Sequence, residues 1–400
     1  MTGHHFFMCF PDHGHVIPTL AVVAELTRRG NRVTYLTGAS TAAAVAAAGA
    51  EVVTYDSPYE RVRTRAAEDD PLALLSLLLD ESEAMLAAAT ALPERPDAVA
   101  YDISTLHAGR ILARTTGLPA TQLIPIFASN AHFSVLAATY EGGDAGRLDR
   151  ELPGWVDGML ARIGALARAY GVADDPAALW WEVQDSNLVA LPRSFQFAGE
   201  TFDERFTFVG PCLGERRFLA EWAPPGDGLP VALLSFGSVG TTRPELLRTC
   251  AQALAELPWR TVVTLPGGTD PAVLGPLPPT VEPRHGVSHL SVLRHASVAV
   301  THGGLGTIME ALHLACPLVV VPTTAMDRPV ARRVAELGLG RVLDPGRLTA
   351  ARVAEQVAAV AAATRPRGGP RRAMSAEIRA SGGAARAADV LERLPSWTAA

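Results

Sequence analysis

Residues 5–38 read HFFMCFPDHGHVIPTLAVVAELTRRGNRVTYLTG, and this stretch decides the class of fold. It opens with a continuously apolar run at residues 5–10, which a loop rich in Pro, Gly and His follows. An amphipathic stretch over residues 17–30 then ends in two arginines and a glycine, as helices commonly do. A second apolar run begins at residue 32. The order predicts strand, helix and strand, and therefore a parallel pair joined by a right-handed crossover.

The same alternation continues on both sides of a linker. A helix is predicted over residues 41–49, and further strands at residues 51–55, 97–102, 119–124 and 187–192. Residues 126–185 are expected to form helices and loops over one edge of this sheet. EWAPPGDGLP, residues 221–230, has the Pro/Gly-rich composition of a linker. A second unit then begins at 231–238, with a helix at 244–257 and strands at 260–265, 296–301, 317–322 and 341–343.

The chain has 400 residues, which is more than one hydrophobic core usually fills. We therefore predict an α/β protein with two Rossmann-like, doubly wound domains in tandem. The predicted domains are residues 1–215, residues 216–375, and a C-terminal helix at 376–400 that packs back on the first domain. Ligands of such sheets bind at the carboxyl ends of the strands, so the active site is expected in a cleft between the two domains.

Composition removes several functional classes. The chain has no lysine, which excludes every mechanism that depends on a P-loop lysine or a Schiff base. Its net charge is −6 and its arginines are scattered, so no nucleic-acid partner is expected. The four cysteines show no C-x-x-C spacing, and the N-terminal apolar run is too short for a signal sequence or a membrane span. We expect a cytoplasmic protein.

Residues 301–312, THGGLGTIMEAL, lead from a predicted strand into a predicted helix. Backbone N–H groups at a helix start lack partners within the helix, so this turn suits a phosphate or carboxylate. His302 and Thr307 can add donors, and Glu310 lies where a carboxylate can accept ribose hydroxyls. A second turn of small residues, SFGS at 235–238, also lets backbone approach an anion. An ordinary tight turn explains the first motif equally well.

A second candidate group follows the first strand, in DHGHVIP at residues 12–18. A histidine at the end of a strand is a common general base near neutral pH. Asp102 ends another strand at the same sheet edge, where it could fix the imidazole tautomer and stabilise its charged form. Because loop histidines and strand-end aspartates are frequent, a purely structural explanation stays open.

These motifs carry a resemblance to a known family. GHVIPTLAVVAELTRRGNRVTYLTG, VAYDIS, TFVGP, LLSFGS and, above all, VTHGGLGTIMEALHLACPLVVVPTTAMDRPVARRVAELGLG resemble family 1 glycosyltransferases of the GT-B fold, of the bacterial macrolide and natural-product type. The likeness covers nearly the whole chain. It implies an inverting, metal-independent transfer of a sugar from a UDP or TDP sugar to a hydroxyl of a small hydrophobic acceptor such as a polyketide or macrolide.

The resemblance also implies roles for individual residues. His15, in preference to His13, is the implied catalytic base, and Asp102 is its orienting partner. The implied diphosphate and ribose ligands are Ser238, His302, Gly303, Gly304, Thr307 and Glu310. Asp327 and Arg328 are assigned to the donor sugar, and His285, Gly286, Val287 and His289 to the nucleobase region. His132, Phe133 and Trp155 are candidate acceptor contacts, although plain packing explains such residues more often.

The sequence departs from the family pattern in three places. Gly286 to His289 stand where the family has Trp-x-Pro-Gln, so the aromatic platform for the base is missing, and His285 or His289 could replace it. Arg328 stands in place of Gln, and Ala331 in place of Asn. These departures leave the nucleobase and the donor sugar open. Arg328 could pair with an anionic donor sugar.

Neither a metal nor a bound cofactor is expected, since the nucleotide sugar is a co-substrate and the chain contains no Asp-x-Asp pair. No membrane span is expected, and the protein is predicted to act as a monomer or homodimer. Two alternatives stay open, a nucleotide-sugar epimerase of related fold and a non-catalytic partner of a glycosyltransferase. The His15 and Asp102 pair favours transfer over both.

Overall fold

A computed structural model describes residues 3–62, 70–140, 145–214, 216, 218–237, 243–362 and 369–394. The chain divides into two compact units, Met1–Gly214 with Ser381–Ala400, and Glu215–Ala380. The sequence-based boundaries were 215/216 and 375/376. The second boundary differs because the helix Pro370–Ala380 packs on a helix of the second unit, whereas only the helix Gly383–Arg393 packs on the first.

The first unit alternates strands and helices as the sequence predicts, except that its last strand, Phe206–Phe208, was not predicted. Its strands are β1 (His4–Met8), β2 (Arg32–Thr37), β3 (Glu51–Thr54), β4 (Ala98–Asp102), β5 (Ala120–Ile124), β6 (Asn187–Val189) and β7 (Phe206–Phe208). Its helices are α1 (His13–Arg28), α2 (Ala39–Ala47), α3 (Pro58–Val62), α4 (Pro71–Thr90), α5 (Leu106–Thr116), α6 (Val135–Tyr140), α7 (Ala145–Ala169), α8 (Pro176–Trp181) and, at the C-terminal end, α15 (Gly383–Arg393).

The seven strands form one parallel sheet in the order β3-β2-β1-β4-β5-β6-β7. Phe7 of β1 pairs with Tyr35 of β2 on one side and with Ala100 of β4 on the other. The strand order therefore reverses between β1 and β4. In doubly wound sheets, ligands bind outside the carboxyl ends of the two strands at such a switch point.

Alternate residues of β1 serve two different hydrophobic layers, because successive side chains of a strand point to opposite faces. Phe7 packs in a cluster with α1 and α15, to which α15 contributes Ala387, Ala388 and Leu391. Phe6 packs in a second cluster with residues of α4, α5, α7 and α8. Helices α7 and α8 of the inserted region thus pack on one face of the sheet, whereas the sequence-based expectation placed that region over an edge. Arg29 also binds Asp389 and Glu392 of α15, each at 2.7 Å.

Helix α1 begins at His13, earlier than the sequence predicts. Asp12 has extended backbone angles, and its Oδ1 accepts a hydrogen bond of 2.7 Å from the N–H of Gly14, which makes it the N-cap. The sequence-based interpretation assigned residues up to Val16 to the loop rich in Pro, Gly and His and began the helix at Ile17, which placed the start too late. His15 consequently lies in the first turn of a helix, and the predicted loop position is wrong.

The second unit holds the remaining elements. Its strands are β8 (Val231–Ser235), β9 (Arg260–Leu265), β10 (Val281–His285), β11 (Ala296–Thr301), β12 (Leu318–Val320) and β13 (Gly340–Val342). Its helices are α9 (Pro244–Ala255), α10 (His289–Leu293), α11 (Leu305–His313), α12 (Asp327–Glu336), α13 (Ala350–Ala362) and α14 (Pro370–Ala380). The strands form a parallel sheet in the order β10-β9-β8-β11-β12-β13, with its switch point between β8 and β11.

Strand β10 was not predicted from the sequence. Its five residues, VEPRH, contain a proline and three polar side chains, a composition that argues against a buried strand. Proline is tolerated at a sheet edge, where one side of the strand needs no ladder hydrogen bonds. β10 is the edge strand, and Pro283 pairs in register with Val263 of β9.

A core of buried residues from β8, β9, β11, α9 and α13 supports this sheet, with Leu234, Val300, Leu254 and Val357 all at 0% exposure. Within the described ranges, no helix combines the length and the hydropathy that a membrane crossing requires.

Candidate active site

The switch point of the first sheet brings His15 and Asp102 together. β1 leads through Asp12 into α1, so that the first helical turn presents His15 beside the end of β4. Asp102 is the last residue of β4 and is fully buried. Nδ1 of His15 lies 3.0 Å from Oδ1 and 2.9 Å from Oδ2 of Asp102. The contact that the sequence led us to expect is present.

The hydrogen-bond partners of Asp102 fix the orientation of the imidazole. Oδ1 accepts from the N–H of Ser104 at 2.7 Å, and Oδ2 accepts from the thiol of Cys9 at 3.8 Å. An ionised carboxylate can only accept, so the hydrogen between the two side chains belongs to Nδ1 of His15. Nε2 then carries the lone pair. The side chain of His15 is 16% exposed, so solvent still reaches it.

The pKa of His15 reflects two opposed effects. Burial lowers the pKa of an imidazole, but the negative charge of Asp102 and its hydrogen bond outweigh burial and raise the pKa above 6.5. Burial, followed by the charge of Asp102, raises the pKa of Cys9 well above its usual value. Cys9 therefore stays a neutral thiol that donates to the carboxylate. Asp102 therefore stabilises the positively charged form of His15, and Cys9 does not supply the proton.

Aromatic side chains enclose one side of the His15 ring. The ring of Phe10 stands edge-on to it, with centroids 5.3 Å apart at 78°, and Phe10 packs on Tyr59 at 4.5 Å. The hydroxyl of Tyr59 donates to Oδ2 of Asp12, the N-cap of α1, at 3.2 Å. Phe10, Tyr59 and Leu77 form a small buried cluster apart from the main core. Phe10 packs on His15 and Tyr59 binds Asp12, so two side chains outside α1 hold its first turn.

The switch point of the second sheet carries the glycine-rich turn. β11 ends at Thr301, and Gly304 precedes the first residue of α11. Gly303 has φ +114°, a conformation that only glycine adopts without strain. A Cβ at Gly304 would stand 2.8 Å from the ring of His302, and one at Gly237 would stand 3.2 Å from it. The two glycines therefore flank the imidazole closely. Ser238 lies outside the described residues.

The first turns of α11 carry a buried polar cluster. Glu310 is 2% exposed, and its Oε1 forms an ion pair with the guanidinium of Arg216. The hydroxyl of Thr307 lies 3.3 Å from Nδ1 of His289, and the hydroxyl of Ser235 lies 3.4 Å from Nε2 of the same ring. Burial lowers the pKa of His289, and the charge of Glu310 does not reverse this effect. His289 is therefore neutral at pH 7.

The residues assigned to the nucleobase region run from His285, the last residue of β10, to His289, the first residue of α10. Gly286, at φ +58°, accepts a hydrogen bond of 2.7 Å from the N–H of Ala220, and Val287 is buried. His285 is exposed and its Nδ1 lies 3.1 Å from the carbonyl oxygen of Pro266. His289 directs both ring nitrogens at polar groups of β8 and α11. The two histidines suggested as stacking platforms therefore have different surroundings.

The residues assigned to the donor sugar start helix α12. Oδ2 of Asp327 accepts from the N–H groups of Thr323 and Thr324 at 2.9 and 2.8 Å, and from the Thr323 hydroxyl at 3.1 Å. A Cβ at Gly303 would lie 3.4 Å from Asp327, so this turn adjoins the glycine-rich one. The side chain of Arg328 is exposed.

The three candidate acceptor contacts are scattered within the first unit. Trp155 packs against the helical core, and its Nε1 donates to Ser76 at 3.2 Å. Phe133 stacks on Phe197 with centroids 4.9 Å apart, in a separate aromatic group. His132 is exposed. These contacts agree with the packing explanation for Trp155 and Phe133, and they give no reason to group the three residues.

Arg216 and Tyr59 were not identified as site residues from the sequence. Arg216 lies in GERR, a polar stretch ahead of the linker that has no periodicity to single it out. Tyr59 lies in a stretch of irregular pattern between β3 and α4. Gly237 lies in the SFGS turn, which the sequence had singled out, but its contact with His302 is seen only in the structure.

Two doubly wound parallel sheets that follow one another in a chain, each with a polar turn at its switch point, are the architecture of GT-B glycosyltransferases. In the described ranges no three His, Cys, Asp or Glu side chains are grouped so that they could hold a metal ion.

Comparison with known proteins gives the family. The family described as "Erythromycin biosynthesis protein CIII-like, C-terminal domain" matches residues 248–392. Demethyllactenocin mycarosyltransferase of Streptomyces fradiae is 39% identical over 98% of this chain and 87% of its own. Oleandomycin glycosyltransferase of Streptomyces antibioticus is 34% identical over 98% and 90%. The crystal structure of CalG4, the calicheamicin glycosyltransferase, superposes with a TM-score of 0.82 at 40% identity and covers 100% of both chains.

The chain therefore belongs to the natural-product glycosyltransferases of the GT-B fold, the family of macrolide and other antibiotic glycosyltransferases that use nucleotide sugars. The epimerase and the non-catalytic partner are not favoured, because the relatives that match along almost the whole chain are named as transferases.

Proposed function

We propose that this glycosyltransferase moves a sugar from a UDP or TDP sugar to a hydroxyl of a polyketide or macrolide-like acceptor, with inversion and without a metal. The proposed acceptor class is supported by relatives that are named for mycarose transfer to demethyllactenocin and for oleandomycin. The observation that carries the mechanism is the contact of 2.9 Å between Nδ1 of His15 and Asp102.

The acceptor hydroxyl gives its proton to Nε2 of His15 while its oxygen attacks the anomeric carbon. Asp102 stabilises the imidazolium that forms, because its charge and hydrogen bond already favour that state. One carbon–oxygen bond forms as the bond from the anomeric carbon to the diphosphate breaks on the opposite face. The proton ends on His15 and the electron pair on the diphosphate, and the configuration of the sugar inverts.

The departing diphosphate gains negative charge, which the second unit is proposed to stabilise. The N–H groups at the start of α11, the ring of His302 and the positive end of the helix supply this stabilisation, with the hydroxyl of Thr307 as a further donor. Close packing of Gly237 and Gly304 on His302 supports the proposal, since only glycines leave room for both the imidazole and an anion. Glu310 is proposed to bind the pentose, and Asp327 with Arg328 the transferred sugar.

The proposal needs one chain, as a monomer or a homodimer, since all these residues belong to the same chain. We place the reaction in the cytoplasm. This location is supported by the four cysteines, which are all buried and unpaired, as is usual in a reducing compartment.

Substitution of the base tests the mechanism. His15→Ala should lower kcat by about 10²- to 10⁴-fold, the usual contribution of a general base, while calorimetry shows unchanged nucleotide affinity. His13→Ala, two residues earlier in the same helical turn, is the matched control and should retain activity. The anomeric proton coupling of the product, measured by NMR, should report a configuration opposite to that of the donor.

A variant His15→Ala that keeps turnover and loses nucleotide binding would refute the assignment of roles. Retention of the donor's configuration in the product would refute the single displacement.

A further inference from the structure

Arg216 is the one described residue outside the sequence-derived site that forms an ion pair with a residue assigned to the nucleotide. Its guanidinium binds Oε1 of Glu310, and the two side chains are 13% and 2% exposed. The chain next to it is anchored as well. The N–H of Leu219 donates to the carbonyl of Arg216 at 2.8 Å, and Ala220 pairs with Gly286 and Ser288 at 2.7 and 2.9 Å. Arg216 therefore lies beside the carboxylate and has a backbone contact with Leu219, next to the anchored Ala220.

The other oxygen of Glu310 is in a different situation. Oε2 is buried and has no hydrogen-bond partner among the described residues. Nδ1 of His289 is 3.7 Å away, which is beyond hydrogen-bonding distance, and this nitrogen already lies 3.3 Å from the Thr307 hydroxyl. A buried carboxylate oxygen without a donor is costly, so a donor is expected there when the site is in use.

We propose that Arg216 is a specificity-determining residue that leaves Glu310 a single oxygen for the pentose of the nucleotide. The inference rests on the proposed function, in which Glu310 binds the pentose. A carboxylate holds a vicinal diol best with one hydroxyl on each oxygen. With Oε1 occupied by Arg216, one pentose hydroxyl is bound and the second hydroxyl contributes little. The 3′-hydroxyl is the one that uridine and thymidine diphosphates share, so the bound hydroxyl is assigned to the 3′ position, and the enzyme then selects its donor without using the 2′-hydroxyl.

Three nucleotides separate the contributions of the two hydroxyls on the unaltered full-length chain. UDP, 2′-deoxy-UDP and 3′-deoxy-UDP share a base and a diphosphate, and their dissociation constants are measured by calorimetry. UDP and 2′-deoxy-UDP should bind within about threefold of each other, and 3′-deoxy-UDP should bind at least tenfold more weakly. A tenfold preference for UDP over 2′-deoxy-UDP, or equal binding of all three, would overturn the inference.

Removal of Arg216 supplies the matched variant test. In Arg216→Met, Oε1 becomes available to the 2′-hydroxyl, so the preference for UDP over 2′-deoxy-UDP should rise by about five- to tenfold. Arg352→Met removes an exposed arginine of α13 and should keep the wild-type ratio. An unchanged ratio in Arg216→Met would contradict the inference. If that variant does not fold, the three-nucleotide comparison on the wild-type chain still decides.

Glu310→Ala separates this inference from its premise. If Glu310→Ala binds all three nucleotides as the wild type does, the pentose assignment in the proposed function is wrong. If it loses affinity while Arg216→Met leaves the ratio unchanged, the proposed function stands and the role of Arg216 alone is wrong.

Discussion

The imidazole of His15 and the carboxylate of Asp102 are 87 positions apart in the chain, yet Nδ1 of the first lies 2.9 Å from Oδ2 of the second. The contact follows from the strand order, because β1 and β4 are neighbours at the switch point and release their chains at the same edge. The contact joins an ionisable base to a fully buried carboxylate, so its effect on the pKa of His15 can be measured in the pH dependence of the reaction.

Asp102→Asn should change both the rate and its pH dependence. The base must be neutral to accept a proton, and Asp102 raises the pKa of His15, so the acid limb of kcat/KM in the wild type should have its midpoint above pH 6.5. Without the carboxylate of Asp102, burial, which is the largest effect on the pKa of His15, is opposed only by the charge of Asp12, so the midpoint should fall below pH 6.5. We also expect kcat/KM at pH 8 to fall by about 10²- to 10⁴-fold. A wild-type midpoint below 6.5, or an unmoved midpoint in the variant, would show that His15 is not the titrating base.

Chelation should leave the reaction unaffected. The proposed stabilisation of the departing diphosphate comes from backbone N–H groups, His302 and the start of α11, none of which EDTA removes. Initial rates with an excess of EDTA should therefore match untreated enzyme within experimental error. A large loss that Mg²⁺ restores would contradict the metal-independent scheme.

Two glycine substitutions in helices should act in opposite directions. A Cβ at Gly109 of α5 would lie 2.0 Å from the ring of Tyr101, the residue before Asp102. Gly109→Ala should therefore lower the free energy of unfolding by about 1 to 3 kcal/mol through overpacking. Gly158 of α7 has no heavy atom within 4 Å of its would-be Cβ, and Gly158→Ala should raise stability by about 0.5 to 1 kcal/mol. Denaturant titrations of both variants measure the two shifts, and equal shifts would refute the steric argument.

Truncation of a buried side chain in α15 should weaken the first unit selectively. Leu391 is fully buried in the cluster that contains Phe7, and Leu391→Ala should cost about 2 to 5 kcal/mol there. Hydrogen exchange should accelerate at the amides of β1 and leave β8 and β11 protected. Val357→Ala in α13 is the matched control and should give the reverse pattern. Faster exchange in β8 after Leu391→Ala would mean that α15 does not belong to the first unit.

Much of the fold could be predicted from the sequence alone, because most of the strands are short apolar runs between turn residues. β9 and β11 were predicted at their observed bounds, Arg260–Leu265 and Ala296–Thr301. β10 was not predicted, because polar residues and a proline interrupt its apolar pattern. The start of α1 was placed too late, because the capping residue Asp12 and the first helical turn lie in the stretch that was interpreted as a loop. The glycine-rich turn and the candidate base were likewise found from the sequence, because the need for small residues and an imidazole is a local property.

Tertiary structure alone decided which distant side chains meet. No local pattern joins Arg216 to Glu310, or Tyr59 to Asp12, because such contacts depend on the path of segments without periodicity. The ionisation of His15 is also decided in three dimensions, where burial and the charge of Asp102 act against each other. The sequence sets which side chain stands at each position, whereas the fold sets the neighbours of that side chain. These neighbours determine its hydrogen bonds and its ionisation.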